Sequence, residues 1–141
     1  MSITNQAYEK ATKVLKNCIT KKGLYASGTP ASYQAVWSRD ANISLLGGSL
    51  VGRDFQTVFA KSLDLLQKNQ SSHGQIPNCV GDFNEDRNSD VTYNTVDSSL
   101  WFIIGEFIYT KAYNDKKLLK KHWSAIQKTL VWLQNQDLGE D

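Results

Sequence analysis

The first residues that could do chemistry are Arg39 and Asp40, a charged pair directly before a stretch of small, uncharged residues. Charges are costly to bury unless they are paired or hydrogen-bonded, so this pair needs partners. One interpretation is structural: Asp40 or Ser38 caps the following helix, and Arg39 pairs with Asp40. The other is functional: the pair hydrogen-bonds sugar hydroxyls while Trp37 packs against the sugar ring. This segment alone favours capping.

A second segment combines planar hydrogen-bonding groups with an aromatic face. It contains Asn78 and, further on, Tyr93, Asp97 and Trp101. Vicinal hydroxyls above the C–H surface of a pyranose require this mixture of donors, acceptors and an apolar ring. The structural alternative is that Thr95 or Asp97 caps a helix and that Trp101 fills the core. The residues leave both interpretations open.

Five helices are predicted to position these residues, because apolar side chains recur at helical spacing. They span about 2–20, 40–51, 55–69, 96–113 and 115–136. The first, third and fifth are amphipathic, whereas the second and fourth carry little charge and should be buried on most sides. This alternation predicts a two-layered ring of α-hairpins with outer and inner helices. The only strand-like segment is a short extended piece around 23–36.

The apolar spacing also predicts which side chains face the core. In the first helix these are Ile3, Ala7, Ala11, Val14, Leu15 and Cys18. In the third they are Phe55, Phe59, Leu63 and Leu66. In the fifth they form a stripe of Leu119, Trp123, Ile126, Leu130 and Leu133.

Long connections precede the second and fourth helices, and short turns follow them. The long ones run over 21–39 and 70–95 and hold both prolines. Long loops are uncommon in compact domains and often carry function. Since both enter the N-terminal ends of inner helices, we expect them on one rim of the ring, where the candidate residues would meet.

Composition excludes several classes of function. The net charge of +2 is small and the basic residues are dispersed, so we expect no nucleic-acid partner. The two cysteines, Cys18 and Cys79, lie in no metal-binding pattern, so we expect no disulfide, metal or cofactor. No apolar run approaches the roughly 20 residues of a membrane span, and the N-terminus lacks a signal-peptide pattern. These features predict a cytoplasmic protein with no membrane partner.

Three motifs in order resemble the amylo-α-1,6-glucosidase portion of glycogen debranching enzymes. Tyr33 begins Tyr-x-x-x-Trp-Ser-Arg-Asp, Gly74 begins Gly-Gln-Ile-Pro-Asn, and Tyr93 begins Tyr-Asn-Thr-Val-Asp-Ser-Ser-Leu-Trp-Phe-Ile. Glucoamylases share the Arg-Asp element in a looser form. Three motifs in the same order are more specific than any one of them. The resemblance runs from about Tyr33 to the C-terminus.

The resemblance implies an all-α (α/α)6 barrel whose pocket recognises a terminal glucose of an α-glucan and hydrolyses the bond by inversion. Carried over to this sequence, Arg39 and Asp40 would hold hydroxyls of the terminal sugar. The other substrate-binding residues would be Tyr33, Trp37, Asn78, Tyr93, Asp97 and Trp101.

The sequence ends where the family continues into the loops that carry its general acid and base. Inverting hydrolysis needs two carboxylates about 6.5–9.5 Å apart. We therefore expect residues 1–141 to form a single partial (α/α)6 glycosidase-like domain, truncated at its C-terminus. It should hold part of the sugar pocket without the full acid and base pair, so no catalytic residue is assigned and activity of the chain alone stays open. The open ends of the ring would favour self-association.

Two alternatives remain. The alkaline and neutral invertases are also (α/α)6 proteins with a similar Val-Asp-Ser-x-Leu-Trp stretch, which begins here at Val96, and a following Tyr-Thr-Lys, here at Tyr109. The run from Gly74 to Asn78 favours the debranching type over these sucrose hydrolases. The alternative from another class is a non-catalytic helical module that binds a glycan or a partner protein. An open reading frame that continues downstream would favour the enzyme.

Overall fold

Five helices account for most of the chain in the computed structural model, which describes residues 2–29, 33–82 and 90–136. The helices are α1 (Ile3–Asn17), α2 (Ser38–Gly48), α3 (Gln56–Lys68), α4 (Asp97–Tyr113) and α5 (Lys116–Gln134). Two short 3₁₀ turns, Ser49–Val51 and Arg53–Phe55, join α2 to α3. The prediction of an all-α fold with about five helices is confirmed.

The helices pack in two layers. The most extensive helix contact is between α2 and α4, which lie side by side. Helix α3 packs against both of them, α5 packs against α4 and α3, and α1 packs against α2. Helices α2 and α4 are therefore the central pair of the described helices, whereas the ring of inner and outer helices stays a prediction.

A small antiparallel sheet joins the two long loops. Its strands are β1 (Ala35–Trp37), β2 (Cys79–Gly81) and β3 (Val91–Thr92), in the order β1-β2-β3. The sequence predicts an extended piece only near β1. Strands of two or three residues are too short for the alternation that identifies a strand, so β2 and β3 could not be predicted. Part of each long loop, residues 30–32 and 83–89, lies outside the described residues.

The core-facing residues predicted for the third helix are confirmed. Phe55, Phe59, Leu63 and Leu66 are all buried and belong to the central apolar cluster. The same cluster includes Leu45 from α2 and Phe102 from α4, so α3 covers the junction of the two inner helices.

The prediction that α2 and α4 are buried on most sides is wrong for one face of each helix. The exposed apolar residues are Ile43, Leu46 and Leu50 near α2 and Leu100, Ile104 and Phe107 on α4. A helix that is apolar all round needs neighbours all round, and the described elements cover only part of each surface. Self-association through these faces stays a prediction.

Helix α1 also buries less than predicted. Leu15 packs against the core and Cys18, just beyond the helix, is buried, whereas Ile3 and Val14 are exposed. Ala7 and Ala11 are exposed as well. The cause is that α1 contacts α2 over only part of its length, and an apolar groove of about 780 Å³ lies between the two helices.

Helix α5 is rotated relative to its predicted orientation. The stripe prediction is wrong for Trp123 and Leu130, which are exposed, and right for Ile126, which is buried. The buried residues of α5 are Leu118, His122, Ala125, Ile126 and Thr129. This set is displaced by one position from most of the predicted stripe, which corresponds to about 100° around the helix.

The rotation is explained by a cluster of ionisable side chains, Asp64, Glu106, Lys121 and His122, of which Glu106 and His122 are buried. The Nδ1 atom of His122 lies 2.6 Å from Glu106 Oε1 on α4, and its Nε2 atom lies 2.7 Å from Asp64 Oδ1 on α3. Lys121 donates to the same Asp64 oxygen at 2.6 Å. Because His122 is fully buried, these contacts fix which side of α5 faces the core.

This cluster predicts part of the acid sensitivity of the fold. Burial acts to raise the pKa of Asp64, but hydrogen bonds from Lys121 and His122 outweigh it, so the pKa lies below the ordinary 3.8. A lowered pKa stabilises the folded state above the ordinary value, and this stabilisation is lost as the pH falls through the lowered value. The free energy of unfolding of Asp64→Asn should therefore decrease less than that of the wild type between about pH 4 and pH 2. Urea unfolding at a series of pH values measures this.

A matched variant tests the cause of the acid effect. Lys121→Met removes one of the two hydrogen bonds to Asp64 and should remove only part of the pH dependence. Parallel pH curves for the wild type and Asp64→Asn would contradict the assignment.

Candidate functional site

The N-terminal ends of α2 and α4 lie together. Arg39 Nη1 is 3.1 Å from Asp97 Oδ2, across 58 positions of sequence. One residue earlier on α2, Ser38 Oγ donates a hydrogen bond of 2.9 Å to the carbonyl oxygen of Ser98. The prediction that both long loops reach one rim is therefore confirmed by direct contacts between their ends.

The three-stranded sheet fixes the three motifs relative to one another. Trp37 lies opposite Cys79, which lies opposite Thr92 on its other side. The backbone continues this pattern, because Ser38 N donates to the Asn78 carbonyl at 2.9 Å and Asn78 N donates to the Thr92 carbonyl at 2.8 Å. Segments that are distant in sequence thus deliver their side chains to one place.

Between these segments lies a small cleft. It is lined by Trp37, Arg39, Asp40, Asn78, Thr95, Asp97 and Ser98. Its volume of about 30 Å³ equals the share of one water molecule in the liquid. Its lining includes both partners of the Arg39–Asp97 ion pair.

The capping interpretation is wrong for both inner helices. The N-cap residues are Trp37 for α2 and Val96 for α4, and neither helix has a side-chain hydrogen bond at its cap. Arg39 pairs with Asp97 on the other helix and not with Asp40 beside it. In the described part of the chain, no cation lies within ion-pair distance of the Asp40 carboxylate. Asp40 and Asp97 are therefore both presented to the cleft.

The aromatic wall of the cleft is Trp37, which is half-buried. The Tyr33 ring meets it edge-on, with ring centroids 5.9 Å apart and an interplanar angle of 63°. Tyr33 itself is exposed and has a backbone φ of 48°, which is uncommon for a residue with a side chain. Tyr33 is not among the lining residues of the cleft, so its contact with the site is made through Trp37.

Asn78 lines the cleft and also holds the following loop in place. Its side-chain oxygen accepts hydrogen bonds from Thr92 Oγ1 at 2.5 Å and from Asn94 N at 3.2 Å. Asn78 is buried. These bonds anchor the segment that leads into α4 and to Asp97.

Tyr93 and Trp101 are not among the lining residues of the cleft. The Tyr93 hydroxyl donates to the Asn69 carbonyl at 2.5 Å, and burial raises the pKa of this tyrosine. Trp101 lies one turn beyond Asp97 on α4 and is partly buried. Their part in sugar binding stays a prediction that this geometry does not support.

Two hydroxyl residues in the cleft were not predicted as binding residues. Thr95 Oγ1 and Ser98 Oγ lie 2.6 Å apart and both line the cleft. The sequence predicts Thr95 only as a possible helix cap and Ser98 only as a residue of the fourth helix. The signal in the sequence was their position on either side of Asp97, because residues next to a candidate binding residue often lie in the same site.

The cleft provides the groups that recognise hydroxyls. The Arg39 guanidinium offers several donors in one plane, the two aspartates offer acceptors, and Trp37 offers an apolar face. Within the described ranges, no group of three or more histidine, cysteine or acidic side chains could hold a metal ion. None of the described helices combines the length and the apolarity that a membrane crossing requires.

Comparison with known families supports the resemblance carried by the three motifs. The model of the family described as amylo-alpha-1,6-glucosidase matches residues 9–135. This range begins within α1, ends just past α5 and includes all the residues of the cleft. No curated protein and no solved structure matches the chain.

Proposed function

Because the chain belongs to the amylo-alpha-1,6-glucosidase family, we propose that the cleft between α2 and α4 binds the terminal glucose of an α-glucan. The observation that carries this proposal is the convergence of Arg39, Asp40 and Asp97 beside one aromatic ring. Helix capping would require no such convergence, since each residue would then serve its own helix.

Each group has a role in binding a pyranose. The planar donors of Arg39 and the carboxylate of Asp40 bind adjacent hydroxyls, which act as both acceptors and donors. Hydrogen bonds to charged groups contribute about 1.5–3 kcal/mol each, which makes these two residues the main source of affinity. Trp37 packs against the C–H face of the ring and selects its orientation.

Binding opens the cleft by separating Arg39 from Asp97. Both side chains are partly exposed, at 61% and 36%, and pairs of this kind contribute only about 0–1 kcal/mol. The hydroxyls of the sugar replace the lost ion pair with hydrogen bonds to both partners. Separating the ion pair therefore costs little free energy compared with the hydrogen bonds that Arg39 and Asp97 can then form with the sugar.

The proposal concerns substrate binding and assigns neither a general acid nor a general base. The residues that would carry out inverting hydrolysis are expected from the resemblance on other loops. The family match favours an α-glucan over sucrose, the substrate of the invertase alternative. A non-catalytic glycan-binding module would use the same cleft, and release of glucose from a limit dextrin would separate it from an enzyme.

Ligand titration followed at Trp37 tests the proposal. Millimolar deoxynojirimycin or glucose should shift the indole N–H signal of Trp37 in a ¹H–¹⁵N spectrum, while sucrose and the acyclic sorbitol should not. Asp40→Asn should weaken deoxynojirimycin binding at least about ten-fold, because a charged acceptor is lost.

Asp54→Asn is the matched control, since Asp54 is an exposed aspartate that pairs with Lys16 and does not line the cleft. It should bind the sugar as the wild type does. Equal weakening in the two variants, or no response of Trp37 to either sugar, would refute the proposal.

A further inference from the structure

Helices α2 and α4 approach each other closely where Asn42 faces Gly105. Asn42 is buried, and its Nδ2 donates a hydrogen bond of 2.8 Å to the Ser38 carbonyl one turn earlier. A Cβ atom placed on Gly105 would lie only 1.7 Å from Asn42 Oδ1 and 2.6 Å from Asn42 Cγ. The Asn42 side chain therefore occupies the space that any side chain at position 105 would need.

We propose that Asn42 and Gly105 form a spacer that sets the distance between α2 and α4, and so positions Arg39 against Asp97. Both are positioning residues, since neither lines the cleft. This inference rests on the proposed function only where sugar binding is the readout. The distance between Arg39 and Asp97 is a readout that does not depend on it.

Two contacts along the helices define how α2 and α4 are arranged relative to each other. Ser38 meets Ser98 at the N-terminal ends, and Asn42 meets Gly105 further along both helices. The two helices therefore run in the same direction, and two contacts along their length define both distance and tilt. The Asn42 side chain is itself held by its hydrogen bond to Ser38, so the spacer and the end contact share one residue.

The spacer acts on the cleft because its residues are close to the ion pair in sequence. Arg39 follows Ser38 directly, and Asp97 directly precedes Ser98. If a side chain at position 105 pushes α4 away from α2, the whole helix moves, including its first turn, which carries Asp97. The Arg39–Asp97 distance of 3.1 Å reports such a displacement, because an increase of about 1 Å separates the two charges beyond the roughly 4 Å limit of an ion pair.

Crystal structures and binding titrations of three variants of the full chain test the spacer. Gly105→Ala should separate Arg39 Nη1 from Asp97 Oδ2 beyond about 4 Å. Because it displaces the helices themselves, and with them Trp37 and Asp40 relative to Asp97, it should also weaken deoxynojirimycin binding at least about ten-fold. Asn42→Ala/Gly105→Ala removes the two nearest atoms with which the new methyl group collides, and the next nearest atom is the flexible end of Leu63 at 3.3 Å. This double variant should restore the pair distance and most of the binding.

Gly47→Ala is the matched control. Gly47 is also a helical glycine of α2, but a Cβ atom there meets nothing within 4 Å. It should keep the wild-type distance and affinity, and its helix should become slightly more stable because alanine is the better helix former.

The outcomes separate the spacer from a purely structural role. If Gly105→Ala lowers the melting temperature but leaves the ion-pair distance unchanged, the proposal is overturned. If Gly105→Ala does not fold, the double variant decides: folding with the ion pair restored supports the spacer, and failure to fold refutes it. If the wild type binds no sugar but the distances change as expected, the proposed function fails and the spacer stands.

Discussion

Replacing His122 with leucine should lower the free energy of unfolding by about 3–5 kcal/mol. His122 and Glu106 are both buried, with side-chain exposures of 0% and 1%. Without the imidazole, Oε1 of the buried Glu106 loses its partner, and the second oxygen, Oε2, already has no hydrogen-bond partner among the described residues. An unpaired buried charge costs far more than a lost surface ion pair. Urea unfolding at neutral pH, followed by circular dichroism, measures the loss.

Two further variants separate the buried charge from the loss of packing. His122→Leu/Glu106→Leu removes both charged partners and should recover much of the stability, because apolar replacements of a buried pair are often neutral or stabilising. Lys121→Met removes the exposed member of the cluster and should cost less than about 1 kcal/mol. If His122→Leu costs no more than Lys121→Met, the cluster does not anchor α5.

The second large effect is expected at Gly74, the first residue of the Gly-Gln-Ile-Pro-Asn motif. Its φ of +101° is a conformation that residues with side chains rarely adopt. A Cβ atom at this position would lie 2.3 Å from the carbonyl oxygen of Lys128, which is backbone of α5 and cannot rotate away. Gly74→Ala should therefore lower the free energy of unfolding by about 3 kcal/mol.

Gly52→Ala separates backbone strain from collision in that experiment. Gly52 has nearly the same φ, +103°, but a Cβ atom there meets nothing within 4 Å. Its variant reports the conformational cost alone, so the difference between the two alanine variants measures the contact with α5. Equal losses of stability in the two variants would show that α5 yields at Lys128 and that the close approach has no energetic role.

The sequence predicted the helices because their periodic apolar residues extend over many turns. The predicted orientation of α5 was wrong. The contacts of His122 place that residue in the core, and the apolar stripe through Trp123 and Leu130 is exposed instead. The available signal was Glu106, an acidic residue in the middle of the apolar part of α4, where a carboxyl requires a buried partner. Its partner could not be identified from one sequence, since the two residues lie on different helices.

The candidate site was predictable in part. Arg39 and Asp40 are predicted because charged residues that precede an apolar helix need partners, and Asp97 because it is an acceptor close to Trp101. The structure brings these three residues into one cleft with Trp37. That Tyr93 and Trp101 do not line the cleft was not predictable, because a motif gives the types of residues but not the directions in which their side chains point. Asn42 and Gly105 escaped notice because the distance between two helices is not visible in a single sequence.

The three-stranded sheet also determines when the cleft can form during folding. The helices and their short turns depend on contacts between near neighbours in sequence, which close quickly. The cleft depends on pairings between positions 37 and 79, 79 and 92, and 39 and 97, two of which span long intervals of chain. Closing such intervals costs chain entropy before the contacts repay it. The contact between α2 and α4 spans a similar interval, so the cleft is completed only when these two helices pack against each other.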